Sequence, residues 1–108
     1  MQIFDYHTAG GKNVILAYIA KLPIKEKAEI LHVRDRIRQD GLEAFEVLFT
    51  RQLYKKLYEI KCSQQRLMYI IKDSESVVFL HICKKEKRKA KTVDLDIAKK
   101  RARELELL

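Results

Sequence analysis

Few of the residues that punctuate or staple a fold occur in this 108-residue chain, which has three glycines, one proline, two cysteines and three histidines. There is no Gly-rich phosphate loop and no nucleophile motif, and so few histidines leave little to serve as a base. That argues against a triad hydrolase. Cys62 and Cys83 lack CxxC spacing, and no cluster has the spacing of metal ligands, so no metal site and no cofactor are expected. In a reducing compartment both read as buried thiols. No apolar run approaches the roughly 20 residues of a membrane span. Met1 to His7 has no apolar signal-like stretch, so a cytoplasmic protein without a membrane partner is expected. Internal repeats and low-complexity linkers are absent too.

Charge is plentiful, and it is uneven. The formal net charge is +8, with 35% charged and 47% hydrophobic residues, a composition suited to one globular domain over residues 1–108. Residues 84–103 hold ten Lys or Arg against three acidic residues, whereas residues 1–83 hold thirteen against ten. One end of the protein is built to meet an anion. Nucleic acid is the commonest such partner, bound with a salt-sensitive and largely sequence-independent affinity. An acidic protein would use the same patch.

The chain is organised around Leu57 to Lys91. Turns at Ser63-Gln64-Gln65 and Asp73-Ser74-Glu75-Ser76 cut it into three runs, Leu57 to Cys62, Arg66 to Lys72 and Val77 to Cys83, rich in β-branched and aromatic residues and free of Gly and Pro. They predict an antiparallel meander. Alternation puts Tyr58, Ile60, Cys62, Leu67, Tyr69, Ile71, Val78, Leu80 and Ile82 on one buried face. The other face takes Glu59, Lys61, Arg66, Met68, Ile70, Phe79, His81 and Cys83. Polar groups from all three strands converge there.

Elsewhere, Gln2 to His7 reads as an edge or first strand. Val14, Ile15, Tyr18, Ile19 and Leu22 form the apolar stripe of a helix beginning at Lys12 or Asn13 and ended by Pro23. Pro23 also opens a second helix, about Ile24 to Gln39, which should bury Ala28, Ile30, Leu31, Val33 and Ile37 and stop at Gly41. The two helices should form a hairpin on the apolar sheet face. Gly41 to Lys56 reads as a helical turn followed by a loop. Lys84 to Lys91 is too charged to pack and reads as an exposed loop. Thr92 or Asp94 can cap a last helix with an apolar stripe of Leu95, Ala98, Ala102 and Leu105.

Cleaving RNA without a metal needs a base for the ribose 2′-OH, positive charge at the phosphate, and an acid for the leaving 5′-oxygen. Lys61, Arg66, Lys84 and Lys85 can supply charge, while His81 or Glu59 could carry a proton; Lys61, if desolvated among cations, is itself a candidate base. Lys56, Glu59, Lys87, Arg88, Lys89 and Lys91 would extend the RNA-binding surface. Each has an ordinary alternative: a structural histidine, solvated strand residues, Glu59 paired across strands with Arg66, a solvated charge run. On these residues alone, a non-catalytic nucleic-acid-binding module fits as well as an enzyme.

From Tyr58 to about Arg101 the chain resembles the RelE/ParE superfamily of bacterial toxins, especially its HigB-like, phage-derived branch. The resemblance lies in YEIK, a turn, RLMYII, an acidic turn, VVFLHICKKEKRK and a final helix, and the two preceding helices agree in order. It implies a small α+β RelE-like fold, with an N-terminal strand and helical hairpin on one face of an antiparallel meander sheet and a C-terminal helix. It implies a type II toxin acting as a metal-independent, ribosome-dependent mRNA endoribonuclease. It also implies a partner antitoxin, typically a helix-turn-helix protein that would bring operator DNA into the complex. By resemblance, Lys61 matches a lysine with a base or transition-state role, Arg66 an arginine on the scissile phosphate, and Lys85, beside Lys84 and Lys87, falls near a basic residue that stabilises charge or acts as an acid. Glu59 stands where some members have a second lysine. No Tyr follows Tyr69 and no His follows His81, so the C-terminal Tyr or His of many members is missing. The superfamily also contains ParE-like gyrase inhibitors, which are not nucleases.

Overall fold

The structure, a computed structural model, describes residues 1–85 and 92–108. Element order is β1 (Gln2–Asp5), α1 (Val14–Ala20), α2 (Ile24–Asp40), a 3-10 turn (Gly41–Glu43), α3 (Ala44–Val47), β2 (Thr50–Tyr54), β3 (Leu57–Cys62), β4 (Gln65–Asp73), β5 (Ser76–Lys84) and α4 (Thr92–Glu104). Among the described residues the strands form one mixed sheet, ordered β1-β5-β4-β3-β2. The expected meander is present as β3, β4 and β5, while β1 joins parallel to β5. This is the α+β class expected from the sequence. No described helix is long and apolar enough to cross a membrane.

The helix ends follow local chemistry. Asn13 caps α1, its side chain accepting from Leu16 N at 2.9 Å, which satisfies one of the donors left over in a first turn. Pro23 precedes α2, and Gly41 stops it with φ +65°, a left-handed value that a side chain would strain. Along α2, Ile30, Ile37 and the half-buried Val33 face the sheet. Ala28 and Leu31, expected inside, are exposed, and the third fully buried position is Arg34.

Two cores result. The hairpin of α1 and α2 covers one sheet face, packing Ile15, Ile19, Ile30 and Ile37 against Ile60, Leu67, Tyr69, Val77, Phe79 and Ile82. On the other face, Ala98 and Ala102 of α4 lie against Leu57, Met68, Ile70, Val78, Leu80 and Cys83. Phe79 is fully buried, and truncating a side chain of that size costs about 3–5 kcal/mol.

Two readings of the sequence need correction. Strict alternation placed Val78 and Leu80 under the hairpin and Phe79 on the far face; the structure reverses them. The cause is a bulge in β5: Met68 pairs with His81 but Tyr69 pairs with Phe79, so Leu80 is an extra residue and the facing pattern shifts there. Secondly, the stretch after the helical turn is a strand, β2, antiparallel to β3. Its two-residue turn, Lys55-Lys56, lacks the Gly or Asn that advertises a hairpin, and Lys55 takes φ 50° unaided.

Candidate nucleic-acid interface

Hairpin geometry brings the basic residues together. The β3–β4 turn at Ser63-Gln64 sets Lys61 directly opposite Arg66, and β5 returns to set Cys83 opposite Arg66 and Lys84 opposite Gln65. The amide of Lys85 donates to Gln64 O at 2.6 Å, tying the exit of β5 to the same turn. Lys61, Arg66, Lys84 and Lys85 therefore share one end of the sheet. Like charges directly opposed across strands are destabilising, so the Lys61–Arg66 pair works against the sheet that carries it.

The row is held without carboxylates. Arg66 is half-buried, and its Nη1 donates to Ser63 O at 3.1 Å and Gln65 O at 2.8 Å. Carbonyls orient the guanidinium and leave its charge uncompensated. Among the described residues, no carboxylate forms an ion pair with Lys61, Arg66, Lys84 or Lys85, and all but Arg66 are exposed. The start of β4 is pinned from the hairpin side: buried Gln65 accepts from the Tyr18 hydroxyl at 2.6 Å and donates to Glu26 at 3.1 Å. Burial raises the Tyr18 pKa, aided by nearby Cys83 and Glu26, so the phenol stays a donor. Gln65 reads in the sequence as a turn residue, and nothing local marks it as an anchor.

His81 lies on the same face, two residues along β5 from Cys83 and opposite Met68. Its Nε2 is 2.7 Å from Asp94 Oδ1, and its Nδ1 is 3.3 Å from Arg101 Nη1. Arginine only donates, so Nδ1 accepts and the imidazole proton sits on Nε2, donated to Asp94. Arg101 also donates to Leu80 O at 2.9 Å and stacks 4.7 Å over the Tyr6 ring. His81 thus ties α4 to β5 through both ring nitrogens. Neither Asp94, read as a cap, nor Arg101 shows this role in sequence.

Other expected contacts fall elsewhere. Glu59 is 1% exposed and bonded by one oxygen to Arg51 on β2 at 3.0 Å, and among the described residues its other oxygen has no partner. It is neither an open RNA contact nor the partner of Arg66, because β2 supplies a cation on its other side. Lys56 occupies the β2–β3 turn, at the opposite end of β3 from Lys61, about 16 Å away along a strand. Lys87, Arg88, Lys89 and Lys91 lie outside the described residues.

One end of the sheet therefore presents an oriented arginine flanked by exposed lysines, an arrangement that can grip a phosphodiester from several sides. No curated protein matches the chain. A family model described as phage-derived protein Gp49-like matches residues 17–103, which span every described element from β2 to β5, all of α2 and most of α1 and α4. The chain belongs to this phage-derived Gp49-like family, a toxin-like family.

Proposed function

We propose that this protein is the toxin of a type II toxin–antitoxin pair, a metal-independent, ribosome-dependent mRNA endoribonuclease of the RelE/HigB kind that blocks translation. The observation that carries the reading is the Lys61–Arg66 cross-strand pair with Lys84 and Lys85 beside it, cationic, oriented and unneutralised by any described carboxylate. Membership of a toxin-like family supports it.

In this reading Arg66 holds the scissile phosphate and Lys84 and Lys85 offset the charge that builds on it. The 2′-oxygen attacks phosphorus as its proton is withdrawn, the bond to the 5′-oxygen breaks, and that oxygen takes up a proton. Both ring nitrogens of His81 are already engaged, so the base in this reading is Lys61, which is exposed here and would be desolvated when mRNA and ribosome cover it. The ribosome positions the mRNA, and a helix-turn-helix antitoxin covers this surface, bringing operator DNA into the complex.

Purified protein added to programmed ribosomes, with mRNA 5′ ends mapped by primer extension, tests the proposal. New ends within the A-site codon are expected, reduced about 10²–10³-fold in Arg66→Ala, the usual penalty for deleting one charge-stabilising donor. Undiminished cleavage by that variant would displace the assigned site. Intact mRNA would overturn the nuclease reading, and a supercoiling assay would then examine the ParE-like alternative.

A further inference from the structure

We propose that His81, Cys83 and Asp94 form a zinc-binding site that clamps the first turn of α4 to β5. Their ligand atoms, an imidazole nitrogen, a thiol sulfur and a carboxylate oxygen, all lie within 4.8 Å of one another. Residues two apart in a strand project to the same face, so His81 and Cys83 point together toward α4, where Asp94 meets them. The inference goes beyond the nuclease reading and does not rest on it, since that chemistry uses no metal.

The donor set selects the ion. Thiolate with imidazole favours a borderline-soft metal over magnesium or calcium, which take oxygen ligands. Zinc bonds of about 2.0–2.3 Å hold tetrahedral ligands roughly 3.3–3.8 Å apart. The 2.7 Å separation of His81 Nε2 and Asp94 Oδ1 must open slightly, and the widest pair must close by at most about 1.5 Å. Cys83 is buried, while the His81 and Asp94 side chains are 14% and 22% exposed, leaving an approach from solvent and a place for water as fourth ligand.

Arg101 opposes the ion. On binding, the Cys83 thiol proton leaves to solvent and the His81 proton moves from Nε2 to Nδ1, which then faces the Arg101 guanidinium. Arg101 must withdraw from Nδ1, keeping its bond to Leu80 O and its stack on Tyr6. A glutamine there could accept from Nδ1–H, the support that metal-bound histidines normally receive.

Zinc-free protein titrated with Zn²⁺ in competition with a chromogenic chelator, and with Co²⁺ as a spectroscopic probe, tests the site. One equivalent should bind, and the cobalt form should show a thiolate charge-transfer band. Cys83→Ser and Asp94→Asn should each weaken zinc binding at least ~10-fold, and Arg101→Gln should tighten it. Circular dichroism checks that the variants fold. If Cys83→Ser does not, Asp94→Asn decides, because Asp94 is not part of either core. Absence of stoichiometric zinc binding, a cobalt form without the thiolate band, or a folded Asp94→Asn that binds like the parent would overturn the proposal.

Discussion

Arg34→Met should be among the most damaging single changes in the protein, although Arg34 makes no part of the basic row. Arg34 is 2% exposed, on the sheet-facing side of α2. Its Nη1 and Nη2 donate to the two oxygens of Asp5 at 2.8 and 2.9 Å, and its guanidinium lies 5.3 Å over the Phe79 ring. The Asp5 side chain is 6% exposed, and among the described residues the remaining hydrogen bond to its carboxylate comes from Asn13 Nδ2 at 3.0 Å. Replacing Arg34 by methionine keeps much of the volume but strands a buried carboxylate on one neutral donor. Breaking a buried pair in this way costs about 3–5 kcal/mol, a large share of the roughly 5–15 kcal/mol of a typical domain.

The partner substitution separates charge from packing. Asp5→Asn in the Arg34→Met background removes the stranded charge and still accepts from Asn13, so about half or more of the loss should return. Among the described residues Arg34 Nε lacks a partner, so the native pair is imperfect, which favours recovery toward the upper end of that range. Urea unfolding at neutral pH followed by circular dichroism measures all three proteins, with an unchanged m-value indicating the same transition. A single variant that loses under ~1 kcal/mol, or a double variant no more stable than the single, would refute the reasoning.

Asn13→Ala removes both the α1 cap and a donor to Asp5, and should cost about 1–2 kcal/mol by the same unfolding assay, whereas a loss near zero would mean water replaces the cap. Arg51→Ala leaves the buried Glu59 carboxylate without its ion-pair partner and should cost about 1–3 kcal/mol, while Glu59→Gln should cost less; the opposite order in thermal melts would show that Arg51 is dispensable. Ultraviolet titration should find Tyr54 ionising first, its pKa lowered by the Lys55 side chain, and Tyr54→Phe should delete that early step. Tyr69 should ionise last: burial raises its pKa, and it stacks against Phe45 at 5.0 Å. Because the unfolded phenol releases its proton near pH 10 and the folded one does not, stability held below pH 10 should fall as pH rises beyond it. A flat stability profile there would contradict the burial of Tyr69.

Much of this molecule is decided within short stretches of chain. Pro23 and Gly41 bound α2, Asn13 starts α1, and the runs ending in Cys62, Lys72 and Cys83 make strands, because caps, turns and β-branched runs act over a few residues. The clustering of Lys61, Arg66, Lys84 and Lys85 was legible for the same reason, since short turns leave strand ends no choice of neighbour. What lay beyond the sequence depends on distant partners. The bulge at Leu80 exchanges the faces of Val78, Phe79 and Leu80, because two sheet faces are both apolar and hydrophobicity alone cannot say which residue meets which core. Arg34 and Glu59 are buried against expectation because Asp5 and Arg51 arrive from other strands to meet their charge. His81 acquires Asp94 and Arg101 only when α4 folds back over β5, a contact made across 13 and 20 residues that no local rule encodes.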